Sequence, residues 1–303
     1  MDGHLVFHKK RLIRKSFGEW VFDGFNTILM FCVIFVTLYP FIFVLFSSIS
    51  QPSRLLTFDG LLLFPRGFQL DSYRMVFMNP MITVGYLNTL FYVVAGTLIN
   101  LFLTTLGAYA LSRNHLYFKK SISLFIIFTM FFSGGLIPLY LQVQAYGLID
   151  SRLALLLPGA ISAFNLIIMR TGFESVPASL EESARLDGAN DWQICFRIVF
   201  PLSLPVVAVI TLYYAVYHWN AWYHAMLFLK TRDLYPLQLI LREILVSNQT
   251  EAMVGSAESG SKEALGEAIK YAAIIVSILP VVCLYPFLQR YFIKGIMIGA
   301  VKE

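Results

Sequence analysis

Ser179-Leu-Glu-Glu-Ser-Ala-Arg-Leu-Asp-Gly-Ala-Asn-Asp-Trp-Gln-Ile-Cys-Phe-Arg-Ile-Val-Phe-Pro201 is a polar, charge-mixed island in a chain otherwise built of long apolar runs. Ser179 and Glu182 have the spacing of a capping box, in which the serine hydroxyl takes the N3 amide and the glutamate reaches back to the cap. A helix is expected to start there. Gly188 suits the left-handed conformation that closes a helix, and Asn190 or Asp191 can cap the next one. The second helix carries Trp192, Cys195, Phe196 and Val199 on one apolar face until Pro201 limits it. The stretch reads as a helix-glycine-helix elbow, and such an island between greasy runs is expected to be a docking surface.

The runs on either side decide the fold class. The chain has 303 residues, 58% of them hydrophobic and 14% charged, with a mean hydropathy of +0.70. That is the composition of an integral membrane protein. Uncharged apolar runs fall at about 24–47, 84–111, 121–143, 153–169, 205–229 and 271–289, most of them over the roughly 20 residues that cross a bilayer core. Backbone hydrogen bonding in lipid makes helices the form for segments of this length. An all-α, six-span protein is therefore expected: residues 1–22 form a basic cytoplasmic tail, and 23–303 form one transmembrane domain with a polar loop at 171–204. Pro40, Pro138, Pro158 and Pro280 fall inside runs and predict kinks without breaks. Gly134-Gly135 offers a hinge in the third run, or a site of close helix packing.

Lys9, Lys10, Arg11, Arg14 and Lys15 before the first run, and Arg113, Lys119 and Lys120 between the second and third, place those segments in the cytoplasm. Six spans return the C-terminus, with Arg290, Lys294 and Lys302, to the same side, and put the elbow there too. The net charge of +5 is accounted for by this topology, and no nucleic-acid motif accompanies it. The first run follows too many polar residues, and is too long, for a removable signal peptide. Cys32, Cys195 and Cys283 are too far apart for disulfide or metal spacing and read as packing residues. The connection at about 230–270, rich in serine, glycine and acids, reads as a polar outer excursion.

Glu182-Ser183-Ala184, Gly188, Ile198 and Pro201 resemble the "EAA" loop of ABC importer permeases. Ser183 and Phe200 stand where that pattern has alanine and leucine. Asp187-Gly188-Ala189 and Trp219-Asn220-Ala221-Trp222 are similar to the carbohydrate importers, the maltose-permease-like branch. Gly134-Gly135-Leu136-Ile137-Pro138 and Tyr235-Pro236-Leu237-Gln238 are most similar to permeases for oligosaccharides or polysaccharides. The resemblance, from roughly residue 70 onward, implies a type I importer permease fold whose elbow docks on an ATPase. Glu182, Ser183, Ala184, Asp187, Gly188, Ile198 and Pro201 would then carry the coupling, with Arg185 and Arg197 facing acids of the partner. The resemblance also implies a second homologous permease, two ATPase subunits holding ATP and Mg, an extracytoplasmic solute-binding protein and a sugar substrate.

The remaining chemistry agrees with an importer driven from outside the chain. Gly255 and Gly260 have phosphate-loop spacing, but Ser261 occupies the lysine position. The runs carry no carboxylate for proton coupling. No catalytic or metal-ligating arrangement is found, so the chain is read as a non-enzyme that binds no cofactor. Tyr213, Tyr217, Asn220 and His224 recur at i, i+4, i+7 and i+11, one polar-aromatic stripe on a helix. The stripe either lines a sugar path, with Asn88 and Asn165 as weaker candidates, or serves as an aromatic belt and packing surface. A permease for a non-sugar solute, or a secondary transporter, is the alternative reading.

Overall fold

The computed structural model describes residues 16–113, 116–246 and 265–283, and the chain is all-helical across them. The calls on Lys9 to Lys15, on residues 284–289 and on Arg290, Lys294 and Lys302 lie outside the described residues. Helix α1 (Phe17–Ser48) opens with a capping box of Ser16 and Glu19 and runs through Pro40. Residues 17–22, expected to belong to the basic tail, are therefore its first turns. Two short helices, α2 (Pro52–Leu56) and α3 (Asp71–Met78), lead to α4 (Pro80–Ser112). Helix α4 starts with proline at its first position, where no amide donor is needed, and Asn79 accepts from the Met81 amide at 2.9 Å.

Beyond α4 the chain breaks more often than its hydropathy implies. The third run divides into α5 (Lys119–Phe131) and α6 (Leu136–Ala145), bent by 109°. Gly135 at the bend has φ +84, so this is the hinge reading of the glycine pair. Pro138 sits harmlessly in the first turn of α6, where the amides have no intrahelical partner. The fourth run divides into α7 (Leu153–Leu156) and α8 (Ala163–Glu174), separated by Pro158 and restarted by the Ser162 cap. The elbow helices α9 (Ala178–Leu186) and α10 (Asp191–Ile194) follow, then a π-helical turn over Cys195–Val199 and α11 (Phe200–Leu202). The fifth run divides into α12 (Leu204–Trp219) and α13 (Trp222–Phe228). The expectation of kinks without breaks is thus corrected for runs three and four, while α1 is continuous through Pro40.

The excursion at 230–270 is corrected as well. Its described part holds α14 (Leu237–Val246), whose Leu237, Ile240, Leu241 and Ile244 are buried at helical spacing. The last described helix is α15 (Leu265–Cys283). Helices α1, α4 and α15 are each long and apolar enough to cross a membrane; counting the bent pair α5 with α6, and Asp191–Leu202 with α12, gives up to five.

Helix α4 is the central post, packed by α8, α12 and α14. Small residues permit this: a methyl on Gly85 would lie 3.1 Å from the Leu237 backbone. One apolar cluster, including Met169, Phe173, Ala184, Ile194, Val199 and Ile210, surrounds the elbow end, and two others fill the opposite end. Helix α1 stands apart, burying only Ser47 and Ser48 and exposing Phe25, Phe31 and Phe41. Cys195 is buried, in line with packing, whereas Cys32 and Cys283 are exposed on α1 and α15.

Candidate functional site: an elbow and a cavity joined by one helix

The elbow begins two residues earlier than the capping-box reading places it. Pro177, with φ −58 and ψ 130, is the N-cap of α9, so Ser179 lies inside the helix and makes no side-chain cap. This correction frees Glu182 from a capping role. Gly188 has φ +85, and the Gly188 and Ala189 amides donate to the Arg185 and Ala184 carbonyls at 3.1 and 2.9 Å, closing α9. A Cβ on Gly188 would meet nothing within 4 Å, so backbone conformation alone favours glycine there. Asn190 then caps α10 in a reciprocal box with Gln193, at 2.9 and 3.0 Å.

Along α9 the residues sort by face. Glu182, Ser183 and Asp187 are exposed, as are Gly188 and Pro201, while Ala184 is buried in the elbow cluster and Ile198 packs at its edge. The second arm is fixed to α4 through rings: Trp192 and Phe196 lie 4.7 Å apart and both reach Phe102. Pro201 cannot donate to the carbonyl four residues back, and the π turn ahead of it widens the helix, with the Phe200 amide donating to Cys195. Cys195 is buried in the elbow cluster, where it fills space.

Sequence reasoning missed two anchors. Glu181, one residue from the motif glutamate, points inward and pairs with Arg113 at the end of α4. Burial lowers the Arg113 guanidinium from its ordinary value. Arg185, expected to face a partner, is exposed and also pairs with Asp191 across the elbow. The signal available for Glu181 was its position three residues before the buried Ala184, on the same helical face.

Farther along α8 and α12 from the elbow, a cavity of about 870 Å³ brings together Asn165, Tyr213, Tyr217, Asn220 and His224, with Ser162 and Tyr223 beside them. The stripe does not run on one helix, because α12 ends at Trp219 and Asn220 is its C-cap. Its side chains converge all the same: the Tyr217 hydroxyl lies 3.4 Å from His224 Nδ1. No Lys, Arg, Asp or Glu lines this cavity. Asn88 is not among the lining residues; it donates to the Asp233 and Tyr235 carbonyls at 2.6 and 3.1 Å and accepts from Arg152.

The broken fourth run is held by α4. Asn100 Nδ2 donates to the Gly159 and Ala160 carbonyls at 2.6 and 3.1 Å, which leaves its Oδ1 to accept from His218 Nε2 at 2.8 Å. The Tyr214 hydroxyl joins Thr104 at 2.7 Å and accepts from the Ser162 amide at 3.1 Å. Backbone groups released by the break thus find side-chain partners, which is the condition for irregular backbone at membrane depth.

The chain matches the family described as binding-protein-dependent transport system inner membrane component over residues 82–298, and it belongs to that family. It is 43% identical over 279 residues to the polygalacturonan/rhamnogalacturonan transport system permease protein YtcP of Bacillus subtilis, covering 92% of this chain and 96% of that protein. It is 38% identical over 282 residues to Protein LplC of the same organism, covering 93% and 95%. Among solved structures it is similar to a chain of a bacterial ABC transporter involved in the import of the acidic polysaccharide alginate. That match has a TM-score of 0.84 at 34% identity and covers 92% of this chain and 99% of the other. The family expected from the elbow motif therefore stands, as does the all-helical fold class among the described residues: the chain is an ABC permease, an inner membrane component.

Proposed function

We propose that this chain is one permease of an ATP-driven importer of oligosaccharides or polysaccharides, with six spans, cytoplasmic termini and a cytoplasmic elbow. It pairs with a second homologous permease above two ATPase subunits, which bind the ATP and Mg, and receives sugar from an extracytoplasmic binding protein. Closure of the ATPases moves the elbow and opens the cavity outward; hydrolysis reverses it. The three long helices and the two bent pairs supply up to five of these spans, and the broken fourth run, α7 with α8, is read as the sixth.

The observation that carries this reading is the elbow itself. Glu182, Ser183 and Asp187 are held outward on a helix whose other face is buried, closed by a left-handed glycine. Among the described residues nothing covers this surface, which is what a docking partner requires. The cargo is argued from two sides. The relatives are named for polygalacturonan, rhamnogalacturonan and alginate. The cavity offers ring faces for pyranose C–H surfaces and amide, hydroxyl and imidazole tips for sugar hydroxyls.

The test is uptake into proteoliposomes holding this chain, the second permease, the ATPases and the binding protein. Radiolabelled trigalacturonate should enter only with ATP inside. Entry driven by a proton gradient without ATP, or ATP-driven entry of peptides in place of sugars, would contradict the proposal.

A further inference from the structure

We infer that the buried Arg113–Glu181 ion pair is the joint through which the elbow moves the cavity, with α4 as the rod between them. The inference rests on the importer reading above and adds the positioning residues that transmit motion within this chain. Both side chains are nearly enclosed, with 10% and 9% of their surfaces exposed. The guanidinium also donates to the Phe173 carbonyl at 3.2 Å and to Ser112 Oγ at 3.0 Å, and lies 4.9 Å over the Tyr109 ring. One charged group therefore ties α4 to α8 and to α9. Tyr109 reaches Asp191 at 3.5 Å, and Asp191 pairs with Arg185, so both arms of the elbow are tied to the same end of α4.

A surface ion pair yields when its elements move, because water replaces either partner. A buried pair does not, since separation leaves each charge desolvated and unmatched. Displacement of α9 is then favoured to carry Arg113 with it, since leaving it behind would strand both charges. From Arg113 the rod runs thirteen residues, about 20 Å of helix, to Asn100, passing Thr104. Those two residues hold the broken fourth span through Gly159, Ala160 and, by way of Tyr214, Ser162. Gly159 and Ser162 line the cavity, and a methyl on Gly159 would come within 2.9 Å of the Tyr217 hydroxyl. A shift at the elbow end of α4 is thus delivered to the cavity wall by direct contacts.

The experiment uses the assembled complex in proteoliposomes, with trigalacturonate uptake, ATP hydrolysis and the amount of assembled complex measured together. Glu181→Gln should assemble but import less sugar per ATP, by about 5–150-fold, the usual range for coupling between sites. The exchange Arg113→Glu with Glu181→Arg should recover part of that ratio. Glu174→Gln, which breaks the partly exposed pair with Lys119 and Arg170, should leave it unchanged. Wild-type sugar per ATP in Glu181→Gln would overturn the joint. So would a loss of uptake matched by an equal loss of assembled complex, which would make the pair structural only. If Glu181→Gln does not assemble, Arg113→Lys keeps the charge but loses the fork, and a wild-type ratio there overturns the inference. Failure of the wild-type complex to take up trigalacturonate would instead refute the importer reading.

Discussion

Gly188 is held at φ +85, where any residue with a Cβ is strained by about 1–2 kcal/mol. Gly188→Val should therefore displace the α9 to α10 turn and lower stimulation of the ATPase by loaded binding protein, while Gly188→Asn, which visits that conformation more readily, should retain most of it. Equal behaviour of the two variants would remove backbone conformation as the cause. Gly96 obeys a different rule, since its missing side chain makes room for the buried His218 ring. Gly96→Ala should cost about 1–3 kcal/mol through overpacking, read as a lower unfolding temperature in detergent; an unchanged temperature would mean that the ring has room to move. Asp150, at φ 59, accepts from the Thr231 hydroxyl and from the Thr231 and Lys230 amides at 2.6 to 2.8 Å. Chiefly the Thr231 hydroxyl bond, then these backbone bonds, hold its carboxyl below the ordinary 3.8. The charged form is favoured by folding, so this contribution is complete above pH 3.8 and disappears as pH falls through the lowered folded value. The stability gap between wild type and Asp150→Asn should accordingly shrink on acidification, and a gap that is constant with pH would contradict the sign.

At the scale of elements, what the sequence made legible was local chemistry, and what it hid was competition between chain segments. The left-handed Gly188 and the Asn190 cap depend on neighbours a few residues away, and both were readable. The start of α9 was not, because Pro177 pre-sets the backbone two residues ahead of the serine that looks like a cap. The third run's break was legible in its glycine pair, whereas the break in the fourth was hidden because hydropathy is blind to a carbonyl that finds Asn100 in place of an amide one turn on. Helix α14 was hidden by the polar residues that follow it in sequence. Its burial predicts that Ile240→Ala, which opens a gap against α4, costs about 2–5 kcal/mol and reduces the assembled complex without changing uptake per complex. Reduced uptake per complex at full abundance would give α14 a part in transport.

For the whole molecule, the same helix that anchors the elbow also anchors the broken span beside the cavity, so elbow and cavity belong to one packed unit. The residues of the stripe were legible as a group, although the helix meant to carry them is broken at Asn220. Tyr217→Ala removes a ring from the cavity wall and should lower trigalacturonate uptake per assembled complex, leaving abundance intact; a normal rate would take α12 out of the pathway. The central claim is that the exposed face of α9 is where the ATPase docks. A photo-crosslinking residue at Asp187, in the assembled complex, tests it directly. Irradiation should join this chain to the ATPase subunit from position 187 and not from the exposed Tyr146, which packs toward the other end of the molecule. An intact complex that gives no ATPase adduct from position 187, or as much from 146, would contradict the account.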